Sequence, residues 1–312
     1  MFLALAGGVG AARFLRGLVR VVPPDAVTAV VNTADDDEFH GLHVSPDLDS
    51  VTYTLAGASN ESQGWGLEGE TFATLDALGR YGAPTWFRLG DRDLATHLYR
   101  TRRLREGATL TEVTAEITAA WGLTTRLLPM TDDRVATRIT VTRPGGLREE
   151  LAMQEWFVHE RSAPAVESVR YEGAEAATPA PGLLGRIEAA EAVLLCPSNP
   201  VLSIAPILAV PGIRPALAAR RDHVVAVSPI IAGAPVRGPA DRVMAPLGLE
   251  VSCVGVARAY ADLCSTLVID ARDAERADEV AATGVRPVVA DTLMHRPEVA
   301  AALARQTLDA VA

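Results

Sequence analysis

Residues 30–57 read VVNTADDDEFHGLHVSPDLDSVTYTLAG, and this stretch determines how the rest of the fold is interpreted. The apolar run Val27–Val31 predicts a buried strand of a parallel sheet, because such strands are apolar on both faces. The strand runs into the acidic residues 35–38, and a second acidic turn, residues 45–49, opens an amphipathic segment. The two groups of carboxylates can therefore face one cleft.

Two structures are typical of carboxylates crowded in this way. Bringing like charges together is costly unless a positive charge lies between them, so such a cluster is either a hydrated surface loop or a cation site. The hydrated loop is the more common of the two. If the cluster holds a divalent cation, its candidate ligands are Asp35, Asp36, Asp47 and Asp49.

A glycine turn follows the first apolar strand, Phe2–Ala6, and leads into an amphipathic helix. Strand, glycine turn and helix can hold a phosphate, because glycines admit a close ligand and the helix start offers free N–H groups. Gly8 and Gly10 are therefore candidate phosphate-binding residues. Arg13 stands where the dinucleotide fingerprint needs glycine, and Ala12 and Arg13 stand where the Walker pattern needs glycine and lysine. A tight turn without a ligand is the alternative.

Small polar residues follow three other apolar runs. Loops of this kind present N–H and hydroxyl groups without bulk, which suits a nucleotide base or a phosphate, although purely structural turns explain them equally well. The candidate residues are Asn32 after the second strand, Ser198 and Asn199 after residues 192–195, and Ser228 after residues 224–227.

Arg88 is a further candidate, and it lies in the segment TWFRLGDRDLATH, residues 85–97. Residues 86–89 predict a strand, and Gly90 and Asp91 predict the N-cap of the helix that follows. Because ligands of open α/β sheets bind at the carboxyl ends of strands, we expect Arg88 to contact a ligand. A surface arginine packed along apolar residues is the alternative.

The composition excludes several classes of protein. A formal net charge of -10 argues against a general nucleic-acid binder, which needs a positive surface for phosphates. All 29 basic residues are arginine, so neither a Walker lysine nor a Schiff-base lysine is present. The 3 cysteines are too scattered for a disulfide framework. No apolar run approaches the roughly 18 residues of a membrane span, and we expect a cytoplasmic protein.

The alternation of strands and helices predicts an α/β fold with a Rossmann-like, doubly wound, mostly parallel sheet in a single domain, residues 1–312. Residues 109–161 interrupt this alternation with a hairpin pattern, so we expect an inserted smaller subdomain or lid there. The ligand is expected across the strand ends.

The motifs VNTADDDEFHGLHVSPDLDS, GWGLEGET, WFRLGDRDLATH, LPMTDD, PSNP, VSPIIAG and DTLM occur in this order. With them the chain resembles the 2-phospho-L-lactate transferases of CofD type over nearly its whole length. The resemblance implies an enzyme of coenzyme F-420 biosynthesis that acts on a guanosine diphosphate conjugate. It would move a phospholactyl group, or in some bacteria a phosphoenolpyruvyl group, to the ribityl hydroxyl of 7,8-didemethyl-8-hydroxy-5-deazariboflavin. The resemblance further implies that GMP leaves and that Mg²⁺ is required.

Residue roles also carry over with the resemblance. The acceptor contacts of the family fall on Asp49 and Arg88, both in intact motifs. Asp49 is expected to orient or deprotonate the ribityl hydroxyl, with Mg²⁺ close by in the acidic cluster. The lactyl and enolpyruvyl donors differ by two hydrogens; arginine without lysine and abundant alanine are typical of a GC-rich bacterial genome, which favours enolpyruvyl. A homodimer is the default oligomer.

Two other functions are compatible with parts of the sequence. An NAD-dependent oxidoreductase would use the glycine turn with Asp35 as the ribose partner, although Arg13 occupies its third glycine position. A non-enzymatic, nucleotide-sugar-binding regulator of the same superfamily is the second alternative. Tight binding of the yellow deazaflavin is required by the transferase function alone.

Overall fold

A computed structural model describes residues 1–61 and 63–311. The strands are β1 (Phe2–Ala6), β2 (Val27–Val31), β3 (Asp37–Phe39), β4 (Leu42–Val44), β5 (Arg126–Pro129), β6 (Ala136–Thr142), β7 (Arg148–Ala152), β8 (Ala165–Glu172), β9 (Ala192–Leu195), β10 (Val224–Val227), β11 (Ile230–Ile231), β12 (Ala234–Pro235), β13 (Thr266–Asp270) and β14 (Arg286–Ala290). The α-helices are α1 (Gly8–Leu18), α2 (Pro46–Leu55), α3 (Ala73–Arg80), α4 (Asp93–Arg105), α5 (Leu110–Ala120), α6 (Leu183–Ala189), α7 (Ala205–Ala209), α8 (Ile213–Ala218), α9 (Ala240–Met244), α10 (Cys253–Tyr260), α11 (Ala277–Ala281) and α12 (Pro297–Asp309). Within those two ranges, no helix has the length and apolar character of a membrane span.

The main sheet has seven strands in the order β14-β13-β10-β9-β1-β2-β5. Every neighbouring pair in it is parallel. Side chains alternate between its two faces, as in β1, where Leu3 and Leu5 join one apolar cluster and Ala4 and Ala6 join the other. Helices α1, α2, α5 and α12 cover the alanine side, and α6 to α11 cover the opposite side. The predicted doubly wound α/β fold is confirmed.

A smaller antiparallel sheet, in the order β7-β6-β8, interrupts the parallel pattern. Its buried Trp156 joins it to the main core. The insertion was expected at residues 109–161, but α5 covers the main sheet and β5 pairs with β2, so the antiparallel part runs from Ala136 to Glu172. β5 is an edge strand that ends in Pro129, and proline within an apolar run argues against a strand. Its action as a lid stays a prediction.

The strand predicted at residues 86–89 was wrong, because this segment is irregular. The predicted N-cap was also wrong, since Asp91 does not cap the helix that follows it. Its carboxylate instead accepts hydrogen bonds from the backbone N–H groups of Ala73 and Thr74, each at 2.9 Å, at the start of α3. Asp91 therefore bonds the start of a helix that lies earlier in the chain, which the local sequence does not indicate.

Helices α1 and α12 cross at Gly17, where a Cβ would overlap the backbone carbonyl of Ala300. We expect Gly17→Ala to lower the free energy of unfolding by about 1–3 kcal/mol, as overpacking does. In α6, apart from the chain neighbours of Gly185 and the backbone of its own helix, no described atom lies within 4 Å of a Cβ placed on it. Gly185→Ala is therefore the matched control, neutral or stabilising by about 0.5–1 kcal/mol. Denaturant unfolding of both variants checks this, and equal stability would contradict the close crossing.

Candidate active site

A cavity of about 900 Å³ opens at the carboxyl ends of the strands. It lies where β1 separates β2 on one side from β9 on the other, the position at which open α/β sheets bind ligands. Its volume is at the upper end of the range of about 300–1,000 Å³ that is usual for ligand pockets. The predicted site residues that line it are Gly8, Gly10, Asp35, Asp47, Asp49, Arg88, Ser198, Asn199 and Ser228.

The glycine turn docks against the loop that follows β9. Gly8 has a φ of +72°, which favours glycine, and a Cβ on Gly10 would overlap the carbonyl oxygen of Pro197. The Ser198 hydroxyl donates a hydrogen bond to the Gly7 carbonyl at 2.8 Å. The turn therefore has a structural cause that is independent of any ligand.

Asp47 joins this turn to the end of β2. Its two carboxylate oxygens accept hydrogen bonds from the Gly8 N–H at 2.8 Å and from the side-chain amide of Asn32 at 3.1 Å. Asn32 is fully buried beneath the cavity, so the structure places it behind Asp47 and not in the lining. The N–H of Gly8, which the sequence analysis left free for a phosphate, is already used by Asp47.

Asp35 and Asp47 form a buried carboxylate pair in the lining of the cavity. They are 5% and 8% exposed, so they do not belong to a hydrated loop. Burial raises the pKa of Asp47 to about 6, although the bonds from Asn32 and Gly8 oppose the shift. Burial, and then the charge of Asp47, raise the pKa of Asp35 well above its usual range. Asp35 Oδ1 is buried and has no hydrogen-bond partner among the described residues.

Asp36 points away from this pair. One of its oxygens lies 3.1 Å from His43 Nε2 and accepts a hydrogen bond from the Ser45 hydroxyl at 2.6 Å, which ties it to the β3–β4 ribbon. It is not part of the cavity lining. The backbone turns at this point, with the Asp36 N–H donating a hydrogen bond to the Thr33 carbonyl at 3.3 Å, and the two neighbouring carboxylates separate.

A buried arginine neutralises Asp49. Arg100 of α4 is 2% exposed, and its guanidinium binds both oxygens of Asp49, with Nη1 at 3.2 Å from Oδ2 and Nη2 bonded to Oδ1. Burial would lower the pKa of Arg100, but the charge and hydrogen bonds of Asp49 outweigh it and raise the pKa. Because removing one partner of such a pair costs about 3–5 kcal/mol, Asp49 is held in one position.

Three more polar residues, which the sequence analysis missed, extend this pair. His97 Nε2 lies 3.1 Å from Asp93 Oδ2, and His97 Nδ1 lies 3.7 Å from Asp49 Oδ2. The Tyr53 hydroxyl donates a hydrogen bond to Asp93. Ligand atoms of Asp49, Asp93 and His97 all lie within 4.8 Å of one another. The signal was present, since residues 93, 97 and 100 have the spacing of one helix face.

Arg88 lines the cavity together with the aromatic residues Trp86 and Phe87. Its guanidinium carbon is 4.0 Å from the centroid of the Phe72 ring. The rings of Phe39 and Phe87 stack at 3.9 Å, and Trp86 meets Phe39 edge-on at 5.4 Å. Ring stacking therefore supports this irregular segment in place of a strand. Among the described residues, no carboxylate oxygen lies within 4.0 Å of the Arg88 guanidinium.

Two other predicted site residues, Asn199 and Ser228, use their side chains within their own loops. Asn199 Oδ1 accepts hydrogen bonds from the N–H groups of Val201 and Leu202 at 2.9 and 3.1 Å. The Ser228 hydroxyl donates one to the Ile230 carbonyl at 2.9 Å. These loops are structural turns that also border the cavity.

An open parallel sheet with a large, partly acidic cavity at its switch point defines an α/β protein that acts on small molecules. The chain belongs to the CofD family, because the model of that family, described as 2-phospho-L-lactate transferase CofD, matches residues 2–308. The proteins named Phosphoenolpyruvate transferase of Streptomyces griseus and Thermobifida fusca are each 46% identical to it, covering 98% of this chain and 97% and 96% of their own lengths. That of Mycolicibacterium smegmatis is 41% identical, covering 98% and 97%.

A solved structure of a UPF0052 family protein from Bacillus halodurans has the same fold, with a TM-score of 0.61, 15% identity and 98% of each chain covered. Family membership and the names of the relatives confirm the resemblance found in the sequence. The protein is a transferase of coenzyme F-420 biosynthesis. Its family membership favours this function over the oxidoreductase and the regulator.

We expect the free energy of unfolding to fall as the pH rises, because the carboxylates of Asp35 and Asp47 are buried together. The pKa of Asp47 in the folded protein, about 6, lies above the value of about 3.9 for an exposed aspartate. Its contribution to stability is therefore complete below about pH 4 and is lost as the pH rises through about 6. In chelator, the stability of Asp47→Asn relative to the wild type should increase between about pH 4 and about pH 7.

Urea unfolding across this pH range measures the difference, with Asp25→Asn, a change of an exposed carboxylate, as the control. A pH-independent difference for Asp47→Asn would show that this carboxylate is not destabilised by burial.

Proposed function

We propose that this enzyme transfers a phosphoenolpyruvyl or phospholactyl group from a guanosine diphosphate conjugate to the ribityl hydroxyl of 7,8-didemethyl-8-hydroxy-5-deazariboflavin, releasing GMP. One observation carries the proposal: the buried acidic pair Asp35 and Asp47 and the aromatic segment 86–88 line the same cavity. Two chemically different ligands can therefore meet inside one space. The names of the relatives favour the enolpyruvyl group.

The acceptor fits the aromatic residues of the lining. A deazaflavin is a flat, apolar ring system with a polar rim, and the rings of Trp86, Phe87 and Phe157 line this part of the cavity. Arg88 offers a planar, permanently charged guanidinium with no acidic partner of its own among the described residues. We assign Arg88 to the acceptor for this reason.

Asp49 lines the same cavity and is suited to orienting the acceptor hydroxyl. Arg100 fixes both of its oxygens from behind, and each oxygen keeps a lone pair that can accept a further hydrogen bond. Phosphoryl transfer depends mostly on positioning the nucleophile in line with the leaving group. The geometry therefore supports an orienting function for Asp49 over deprotonation.

The residues present fit a Mg²⁺ ion at Asp35 and Asp47. Both are buried carboxylates on the cavity, their pKa values are raised by burial, and Asp35 Oδ1 has no partner among the described residues. Oxygen ligands of this kind suit Mg²⁺, which when bound supplies charge stabilisation to phosphate oxygens. Asp49, Asp93 and His97 fit less well, because Arg100 and Tyr53 already engage the two carboxylates.

The reaction can be tested directly by mass spectrometry of the product and by release of GMP. With the deazaflavin, Mg²⁺ and each donor in turn, we expect a product carrying the enolpyruvyl group in preference to the lactyl group. Excess chelator should reduce product formation to background. Failure to form a product from either donor would refute the proposed function.

We expect Arg88→Lys to raise the KM for the deazaflavin by about tenfold, because an ammonium cannot reproduce the planar contacts of a guanidinium. Binding of GDP should change less than about twofold, because the diphosphate is assigned to the cation site at Asp35 and Asp47 and not to Arg88. Arg80→Lys, at the exposed end of α3 and outside the lining, is the matched control for steady-state kinetics. Equal weakening of both ligands by Arg88→Lys would contradict an acceptor-specific contact.

A further inference from the structure

Two arginines line the cavity without an acidic partner. Arg13 lies on α1, and Arg237 lies just after β12. In the described ranges, no carboxylate oxygen approaches either guanidinium within the 4.0 Å limit of an ion pair. The acidic residue nearest in effect, Glu61, is bound by Arg16 one turn further along α1.

The surrounding loops keep these two positive charges near each other. The guanidinium of Arg237 packs against Gly64, where a Cβ would overlap it, and Gly64 is also part of the lining. Arg13 is half-buried. Burial, then the charges of Arg237 and Arg16, lower the pKa of Arg13, while Glu61 opposes this shift. Two guanidiniums that repel each other inside a cavity are a favourable environment for an anion.

The donor of the proposed reaction carries two kinds of anionic group. A cation bound at Asp35 and Asp47 would hold the diphosphate of the donor. Its other anion is the carboxylate of the three-carbon acid. Arg13 shares a small recess with the Arg16–Glu61 pair and with Ser50 and Tyr53 of α2, the helix that also carries Asp49. The transferred group must come close to Asp49 if this residue orients the acceptor hydroxyl.

We propose that Arg13 and Arg237 bind the carboxylate of the three-carbon acid and thereby select donors that carry it. This assignment rests on the proposed function. The planar guanidinium fork matches a carboxylate in two parallel hydrogen bonds, which an ammonium cannot form. These arginines are thus separate from Arg88, which faces the acceptor, and from Arg100, which is paired with Asp49.

The test compares the donor conjugate with its carboxyl methyl ester, which keeps the diphosphate and the guanosine but removes the negative charge. Calorimetric titration should show that the wild type binds the ester about tenfold more weakly, a difference of about 1.4 kcal/mol. Arg13→Gln and Arg237→Gln should bind the conjugate about tenfold more weakly than the wild type and bind the ester nearly unchanged. Equal weakening of conjugate and ester would place the arginines on the diphosphate and overturn the proposal.

Two controls separate binding from folding. Arg20→Gln also removes one positive charge near the end of α1, but its partner is Glu298 and it lies outside the lining, so both affinities should be unchanged. Arg13→Gln and Arg237→Gln should keep the Tm of the ligand-free protein, because each removes a repulsive charge. If the wild type binds the conjugate and forms product while these variants still discriminate against the ester, the carboxylate assignment alone fails. If the wild type neither binds the conjugate nor forms product, the proposed function itself fails.

Discussion

The carboxylate of Asp47 is the contact on which the site depends, because it joins three separate parts of the chain. It accepts hydrogen bonds from the backbone after β1 and from Asn32 after β2, and it belongs to the first turn of α2. Burying this group is costly, as its pKa of about 6 shows. This costly group lies at the switch point of the sheet, where β1 is flanked by β2 and β9. Fixing Asp47 also fixes the direction of α2, and therefore the position of Asp49.

Because the chain has no lysine, its basic side chains with a permanent positive charge are all arginines. The arginines at the cavity have different surroundings and different functions. Arg100 is buried and saturates Asp49 from inside the protein, so it acts as part of the framework. Arg88 lies over an aromatic ring, where its flat face is stabilised without an acidic partner in the described chain. A lysine in either place would lose the bidentate bond or the stacking, so these arginines are not interchangeable with it.

The sequence predicted the sheet, its parallel direction and the end at which the cavity lies, because these follow from local apolar runs and the residues after them. It did not predict partners distant in sequence, such as Arg100, which is 51 residues from Asp49. It also could not separate Asp35 from Asp36, since only the backbone direction decides which one enters the cavity. Residues 86–89 have the composition of a strand, yet their rings stack with Phe39 and no ladder forms.

The charges of the cavity are arranged so that an anionic donor meets little repulsion. Asp35 and Asp47 line the cavity and have no cationic partner among the described residues. They are suited to a cation that would itself face a phosphate. Asp49 would add a third negative charge close by, but Arg100 neutralises it without entering the lining. A carboxylate neutralised by an arginine still accepts a hydrogen bond from a hydroxyl. A carboxylate without such a partner could also accept one, but its charge would repel an anionic conjugate. The pairing of Asp49 with Arg100 therefore allows an orienting carboxylate to lie next to a phosphate group.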